Sequence, residues 1–250
     1  MTGSHRRIAV VTGANRGLGY EAAKQLAEQG LKVVLTSRDQ AKGRKAADTL
    51  MQEGLDVDSR PLDVSDADSV RQLVTEVQRD FGRVDVLVNN AGVLLDARVS
   101  YFWDDRDLEP GEASVLTVRE STVQDTMQVN FYGPLLLTQL VIPLMLRNHY
   151  GRIVNVSSGM AQLHTMGGKW PAYRISKVAL NALTGVFADE LRTDNILVNS
   201  ADPGWAKTDM GGPLAPVVPA QAVDTIVWLS TLADDGPTGK FFRERREIEW

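Results

Sequence analysis

Val10-Val11-Thr12-Gly13-Ala14-Asn15-Arg16-Gly17-Leu18-Gly19 closes an apolar run and opens an amphipathic one. Read as strand, turn and helix, it decides the fold. Glycines at 13, 17 and 19 permit a tight turn and close approach of the backbone to a ligand. The helix that follows aims free N–H groups and the positive end of its dipole at that turn, the usual seat of a pyrophosphate. The spacing is Gly-x3-Gly-x-Gly. A glycine turn carries weight only in this strand-before, helix-after context.

Outward from this turn the two patterns keep alternating. Continuous Val/Ile/Leu runs predict strands at 7–12, 32–37, 57–62, 84–89, 152–157 and 196–201, with a short last one near 239–243. Runs apolar on both faces belong to a parallel sheet covered on both sides. Helical spacing predicts helices over 19–29, 40–53, 67–81, 123–146, 172–191 and 220–232. Asp66 is placed to cap the third and Gly30 to end the first. The expectation is an α/β fold, a single Rossmann domain over 1–250, with a doubly wound parallel sheet of about seven strands. Residues 1–6 read as a flexible tail. Two long loops, 93–121 and 204–219, follow strands on the carboxyl edge, where such sheets bind ligands.

Composition sets bounds. The chain has 250 residues, 27 Lys and Arg against 32 Asp and Glu, and no cysteine. A net charge of −5 gives no electrostatic case for nucleic acid. The absence of cysteine removes disulfides and thiolate metal sites and points to a cytoplasmic setting. His5, His149 and His164 make no ligand pattern, so no metal is expected. The most apolar stretch, 135–146, is too short to span a bilayer, and no membrane association is expected.

The chemistry lies in Tyr173-Arg174-Ile175-Ser176-Lys177 and in Ser157-Ser158 upstream. Positions i and i+4 share a helix face, so the phenol and the ammonium meet at one point. A tyrosine titrates near about 10, and a nearby cation is expected to lower that value. Alternation at a strand end lets one serine of the pair face the cleft, and Ser158 is the choice. Tyr173, Lys177 and Ser158 together are the parts of a carbonyl reductase. At the end of the second strand stand Ser37 and Arg38 rather than an acid. With Arg16 they favour the 2′-phosphate of NADPH over the ribose hydroxyl of NADH.

These motifs, with Asp63-Val64, Asn89-Asn90-Ala91-Gly92, Asn130 and Pro203-Gly204, make the chain resemble the short-chain dehydrogenase/reductases from about Arg7 onward. The carbonyl reductase branch, which includes plant menthone-type reductases, is the most similar. That resemblance implies the following roles. Tyr173 is the general acid, Lys177 holds the nicotinamide ribose, Ser158 holds the carbonyl oxygen, and Asn130 links Lys177 to solvent through water. Gly13, Asn15, Arg16, Gly17, Leu18, Gly19, Ser37 and Arg38 take the phosphates and ribose of NADPH/NADP+. Asp63 and Val64 border the adenine, and Asn90, Ala91 and Gly92 wall the cofactor. Pro203, Gly204 and Thr208 lie along the nicotinamide.

For the substrate, Leu94, Tyr101, Trp103, Met160, His164, Met166, Trp170, Trp205 and Met210 make an apolar, aromatic set. It predicts an apolar ketone, aldehyde or quinone and argues against a phosphorylated sugar. Alternatives are a 3-ketoacyl-carrier-protein reductase, for which Arg98, Arg106 and Arg119 are the scattered basic candidates, and a non-catalytic NADPH sensor. Monomeric members of this branch often carry a helical insertion between the serine and the tyrosine. Only Gly159 to Ala172 intervene here, so monomer and homo-oligomer both stay open.

Overall fold

The expected βα alternation is present in the computed structural model of the chain, which describes residues 6–96 and 113–250. The strands are β1 (Ile8–Val11), β2 (Lys32–Ser37), β3 (Val57–Pro61), β4 (Val86–Asn89), β5 (Gly151–Val156), β6 (Ile196–Ala201), β7 (Phe241–Arg243) and β8 (Arg246–Ile248). They form one sheet in the order β3-β2-β1-β4-β5-β6-β7-β8. Every pair is parallel except β7 with β8. The order reverses between β1 and β4, and open α/β sheets bind ligands beyond the strand ends at such a switch point.

The helices are α1 (Gly17–Glu28), α2 (Gln40–Gln52), α3 (Ala67–Phe81), α4 (Glu120–Met127), α5 (Gly133–Asn148), α6 (Pro171–Glu190), α7 (Pro219–Ala222) and α8 (Asp224–Ser230). In α3 the Asp66 side chain accepts from Asp68 N, Gly82 ends the helix in the left-handed region, and Val70, Leu73, Val74 and Val77 face inward. One core, built on Leu26, Leu35, Leu50 and Ile226, lies under α1, α2 and α8. The other, built on Leu73, Leu137, Leu144 and Phe187, lies under α3, α5 and α6.

Three expectations change. The sheet has eight strands, because Glu244 and Arg245 adopt φ of 50° and 58° and turn the chain back as β8. Both are non-glycine residues, so no turn signal marks them. The helix expected over 123–146 begins at Glu120 and contains a π-helical turn, Gln128–Tyr132. The helix expected over 220–232 is broken at Val223 into α7 and α8. From Glu120 to Asn148 the helical stretch is 29 residues and apolar enough to cross a membrane. Leu137, Val141, Leu144 and Met145 on it are nonetheless buried in the second core.

Candidate active site

A cleft of about 910 Å³ runs along the carboxyl edge from the glycine turn to the start of α6. At one end the turn is shaped as a cradle. Gly13 and Gly17 take φ of 62° and 59°, the left-handed region that favours glycine. Gly19 is packed so closely that a Cβ there would lie 2.4 Å from Asn90 Nδ2 and 2.6 Å from the Gly13 carbonyl oxygen. The Thr12 hydroxyl accepts from Asn90 N and Ala91 N, both at 2.9 Å. Asn90 Nδ2 donates to the Thr12 and Gly13 carbonyls at 2.8 and 3.2 Å. The end of β4 thus clamps the turn, with the N-terminus of α1 facing the cleft. This geometry fits a pyrophosphate.

Next along the cleft, Ser37 is buried and Arg38 is exposed beside it. Asp39 lines the same region, yet its carboxylate accepts from Lys42 N at 3.1 Å and caps α2. That hydrogen bond holds its pKa below the usual carboxylate range. The acid is therefore committed to a helix end, while the guanidinium is available for a ribose phosphate. Asp63 accepts from Ser65 N and lines the cleft with Val64.

At the other end lie the residues expected to react. The polypeptide of β5 delivers Ser157 and Ser158, and α6 delivers Tyr173 and Lys177. Ser157 is buried and Ser158 half-buried, and the Ser158 hydroxyl accepts from Met160 N at 3.2 Å. Tyr173 and Lys177 are 8% and 4% exposed. The Lys177 ammonium donates to the Val156 carbonyl at 2.7 Å and lies 5.7 Å from the centre of the Tyr173 ring. Burial pushes the phenol up to about 12; a hydrogen bond with Ser158 opposes this, and the charges of Asp202 and Asp96 reinforce it. Burial brings the ammonium down to about 8. The expected lowering of the phenol by the lysine does not appear; the opposing effect comes from Ser158. Desolvation dominates, and the phenol stays protonated at neutral pH.

Asn130 occupies the π-helical turn, fully buried, and π turns recur at functional sites. Its Oδ1 accepts from Val93 N at 2.8 Å, and its Nδ2 donates to the Val93 carbonyl at 2.9 Å and to Ser176 Oγ at 3.0 Å. It staples the chain after β4 onto α6. Asn130 Oδ1 and Lys177 Nζ both lie 3.4 Å from the point a Cβ on Gly92 would occupy, so they flank the same space.

Every residue assigned above to the cofactor lines this cleft, as do Met160, Trp170, Trp205 and Met210. Leu94 and His164 do not. Leu94 is buried, and His164 turns toward Glu249, 3.6 Å away. Met166 lies beside Arg174, with 4.0 Å between its sulfur and Nη1. Tyr101, Trp103, Arg98 and Arg106 lie outside the described residues. The segment after β6 folds on itself, with Trp205 Nε1 donating to the Gly211 carbonyl and Lys207 N to the Val217 carbonyl. Arg16 pairs with Asp209 across the mouth, linking that segment to the glycine turn.

Three groups escaped sequence reasoning. Asp96, buried, accepts from Ala172 N at 2.7 Å and Tyr173 N at 3.3 Å, capping the helix that carries the tyrosine. Asp202 and Arg243 form an ion pair on the cleft wall. Arg174 lines the cleft beside Trp170. The first two have no local signal, because their contacts join distant parts of the chain; Arg174 holds to Lys169 and Met160 nearby, and nothing in its sequence setting marks it.

The short chain dehydrogenase profile matches residues 7–217. The chain belongs to the short chain dehydrogenase family. Among curated short chain dehydrogenases, (+)-neomenthol dehydrogenase of Capsicum annuum is 32% identical over 307 aligned positions, covering 97% of this chain and 96% of the relative. Carbonyl reductase [NADPH] 1 of Bos taurus is 31% identical, covering 97% of this chain and 98% of the relative. Two solved structures superpose closely. NADPH-bound carbonyl reductase from chicken fatty liver gives a TM-score of 0.82 at 26% identity, covering 98% of this chain and 100% of that one. Salutaridine reductase of Papaver somniferum gives 0.79 at 29%, covering 95% and 99%.

Proposed function

We propose that this short chain dehydrogenase is an NADPH-dependent carbonyl reductase acting on apolar ketones, aldehydes or quinones. The observation that carries this reading is the buried Tyr173, hydrogen-bonded to Ser158 and four residues before Lys177, in a cleft continuous with a phosphate cradle. NADPH/NADP+ fits that cradle, and the NADPH-named and NADP-bound relatives support it. When bound, NADPH supplies the hydride.

The residues then divide the work. The glycine turn and the α1 N-terminus hold the pyrophosphate, and Arg38 with Arg16 takes the 2′-phosphate. Lys177 hydrogen-bonds the nicotinamide ribose. Pro203, Gly204 and Thr208 keep the nicotinamide against the cleft wall. Ser158 and Tyr173 donate to the carbonyl oxygen, where negative charge grows during reduction. Tyr173 then gives its proton to that oxygen and returns as the base in alcohol oxidation. A phenol held at about 12 is fully protonated at neutral pH, which suits the reductive direction. Proton return runs past Lys177 and Asn130. Trp170, Trp205, Met160 and Met210 supply the apolar wall. We place the enzyme in the cytoplasm on the absence of cysteine, with a small molecule as its partner.

The test is NADPH consumption with a panel holding aromatic ketones, aldehydes, quinones, a ketoacyl thioester and a phosphorylated sugar. Turnover of the apolar carbonyls is expected. Turnover confined to the phosphorylated sugar or to the thioester removes the substrate class. Tight NADPH binding without any turnover makes the protein a sensor.

A further inference from the structure

Arg174 follows Tyr173 on α6 and lines the same cleft. Its Nε donates to the Lys169 carbonyl at 2.9 Å and its Nη1 to the Met160 carbonyl at 3.1 Å. Nη1 also lies 4.0 Å from Met166 Sδ, and all three acceptors are neutral. They fix the guanidinium in place without matching its charge among the described residues. Among the described residues no Asp or Glu pairs with Arg174, and its Nη2 makes no hydrogen bond. Burial alone displaces its pKa, downward, with no acid opposing. The neighbouring guanidinium on this wall, Arg243, differs. It donates from Nε to Asp202 at 2.6 Å and is neutralised there. At the far end of the cleft, Arg16 and Arg38 stand where the cofactor phosphates go.

A half-buried charge without a counter-ion is costly, and such groups cluster where an anion arrives. Position says which anion. Met160 ties Arg174 to the turn just after Ser158, so this charge sits on the substrate side of the reacting groups. Arg174 Nη2 is left to donate a charge-assisted hydrogen bond to a carboxylate. We propose that Arg174 binds a carboxylate carried by the substrate, so that the enzyme prefers keto acids with an apolar body over neutral ketones of the same shape. This rests on the carbonyl reductase reading and narrows its substrate class. The competing role for Arg174 is a clasp that only fastens residues 160–169 to α6.

The experiment compares an aryl keto acid with its methyl ester on the wild type, Arg174→Gln and Arg174→Lys. A charge-assisted hydrogen bond predicts a roughly 10- to 100-fold higher kcat/KM for the acid in the wild type. Arg174→Gln should collapse the acid-to-ester ratio, and Arg174→Lys, which keeps the charge but not the fork, should retain part of it. An ester reduced as well as the acid by the wild type overturns the proposal. An unchanged ratio in Arg174→Gln, with both substrates falling together, leaves only the clasp. If neither compound is reduced, the carbonyl reductase reading fails separately. The carboxylate site is then read by tryptophan fluorescence titration of the NADPH-loaded protein with acid and ester. Tighter acid binding that the variants weaken supports the site, and equal binding overturns it.

Discussion

Replacing Gly19 by alanine puts a methyl group where the structure has no room. The new Cβ would lie 2.4 Å from Asn90 Nδ2, 2.6 Å from the Gly13 carbonyl oxygen and 2.8 Å from Ala14 Cα. Two of these three atoms are backbone of the phosphate turn. The third belongs to a side chain already tied to the Thr12 and Gly13 carbonyls. Nothing can swing aside, so the first turn of α1 must retreat from the cradle. Overpacking of this kind costs about 1–3 kcal/mol, and each disturbed Asn90 hydrogen bond adds about 0.5–1.5 kcal/mol. With both Asn90 bonds disturbed, the expected total is roughly 2–6 kcal/mol, a large share of a typical domain's stability. It should show as a lower urea midpoint and as NADPH binding weakened by at least about tenfold, read by NADPH fluorescence. Gly185→Ala on α6 is the control. Nothing lies within 4 Å of its new Cβ, and its φ is unstrained. Gain of helix propensity should stabilise that variant by about 0.5–1 kcal/mol. A Gly19→Ala protein of wild-type stability and NADPH affinity would refute the close-approach reasoning.

Arg38→Asp should weaken NADPH by roughly 10- to 100-fold and NADH far less, because it removes a charge-assisted contact available only with the 2′-phosphate. An unchanged ratio of the two affinities would mean that the phosphate is held elsewhere. Lys177 is charged below about 8 and neutral above it, since burial lowers its pKa from the ordinary lysine range. The hydrogen bond proposed for it with the ribose should therefore weaken as pH rises, and the KM for NADPH should climb above about pH 8. Tyr173, at about 12, stays protonated across that range, so the loss should appear in KM before kcat. A KM that stays flat from about pH 6 to 10 would contradict the assignment of Lys177.

Much of this was legible in the sequence, for identifiable reasons. Strands buried on both faces must be continuous apolar runs, so β2 and β6 end where the sequence places them. The glycine turn is local, and so is the Tyr173–Lys177 spacing on one helix face. What escaped depends on contacts between distant segments. The Asp202–Arg243 pair joins the ends of β6 and β7, and Asp96 reaches from the loop after β4 to cap α6. Nothing in either neighbourhood marks them. The π turn at Asn130 is likewise silent, because residues 128–132 keep ordinary helical chemistry while their register shifts. The phenol's pKa was misjudged because spacing reveals the cation but not the depth of burial. Depth decides the sign here.

The central claim is that Tyr173 passes a proton, and the cofactor a hydride, to one carbonyl group. The most direct measurement follows an aryl ketone incubated with NADPH deuterated at the nicotinamide C4, using wild type and Tyr173→Phe, with the alcohol analysed by mass spectrometry. The account predicts deuterium on the carbinol carbon in the wild type. It predicts at least about a hundredfold less product from Tyr173→Phe, whose NADPH affinity stays near wild type. Deuterium-free alcohol, or a Tyr173→Phe enzyme that keeps the wild-type rate, would contradict it.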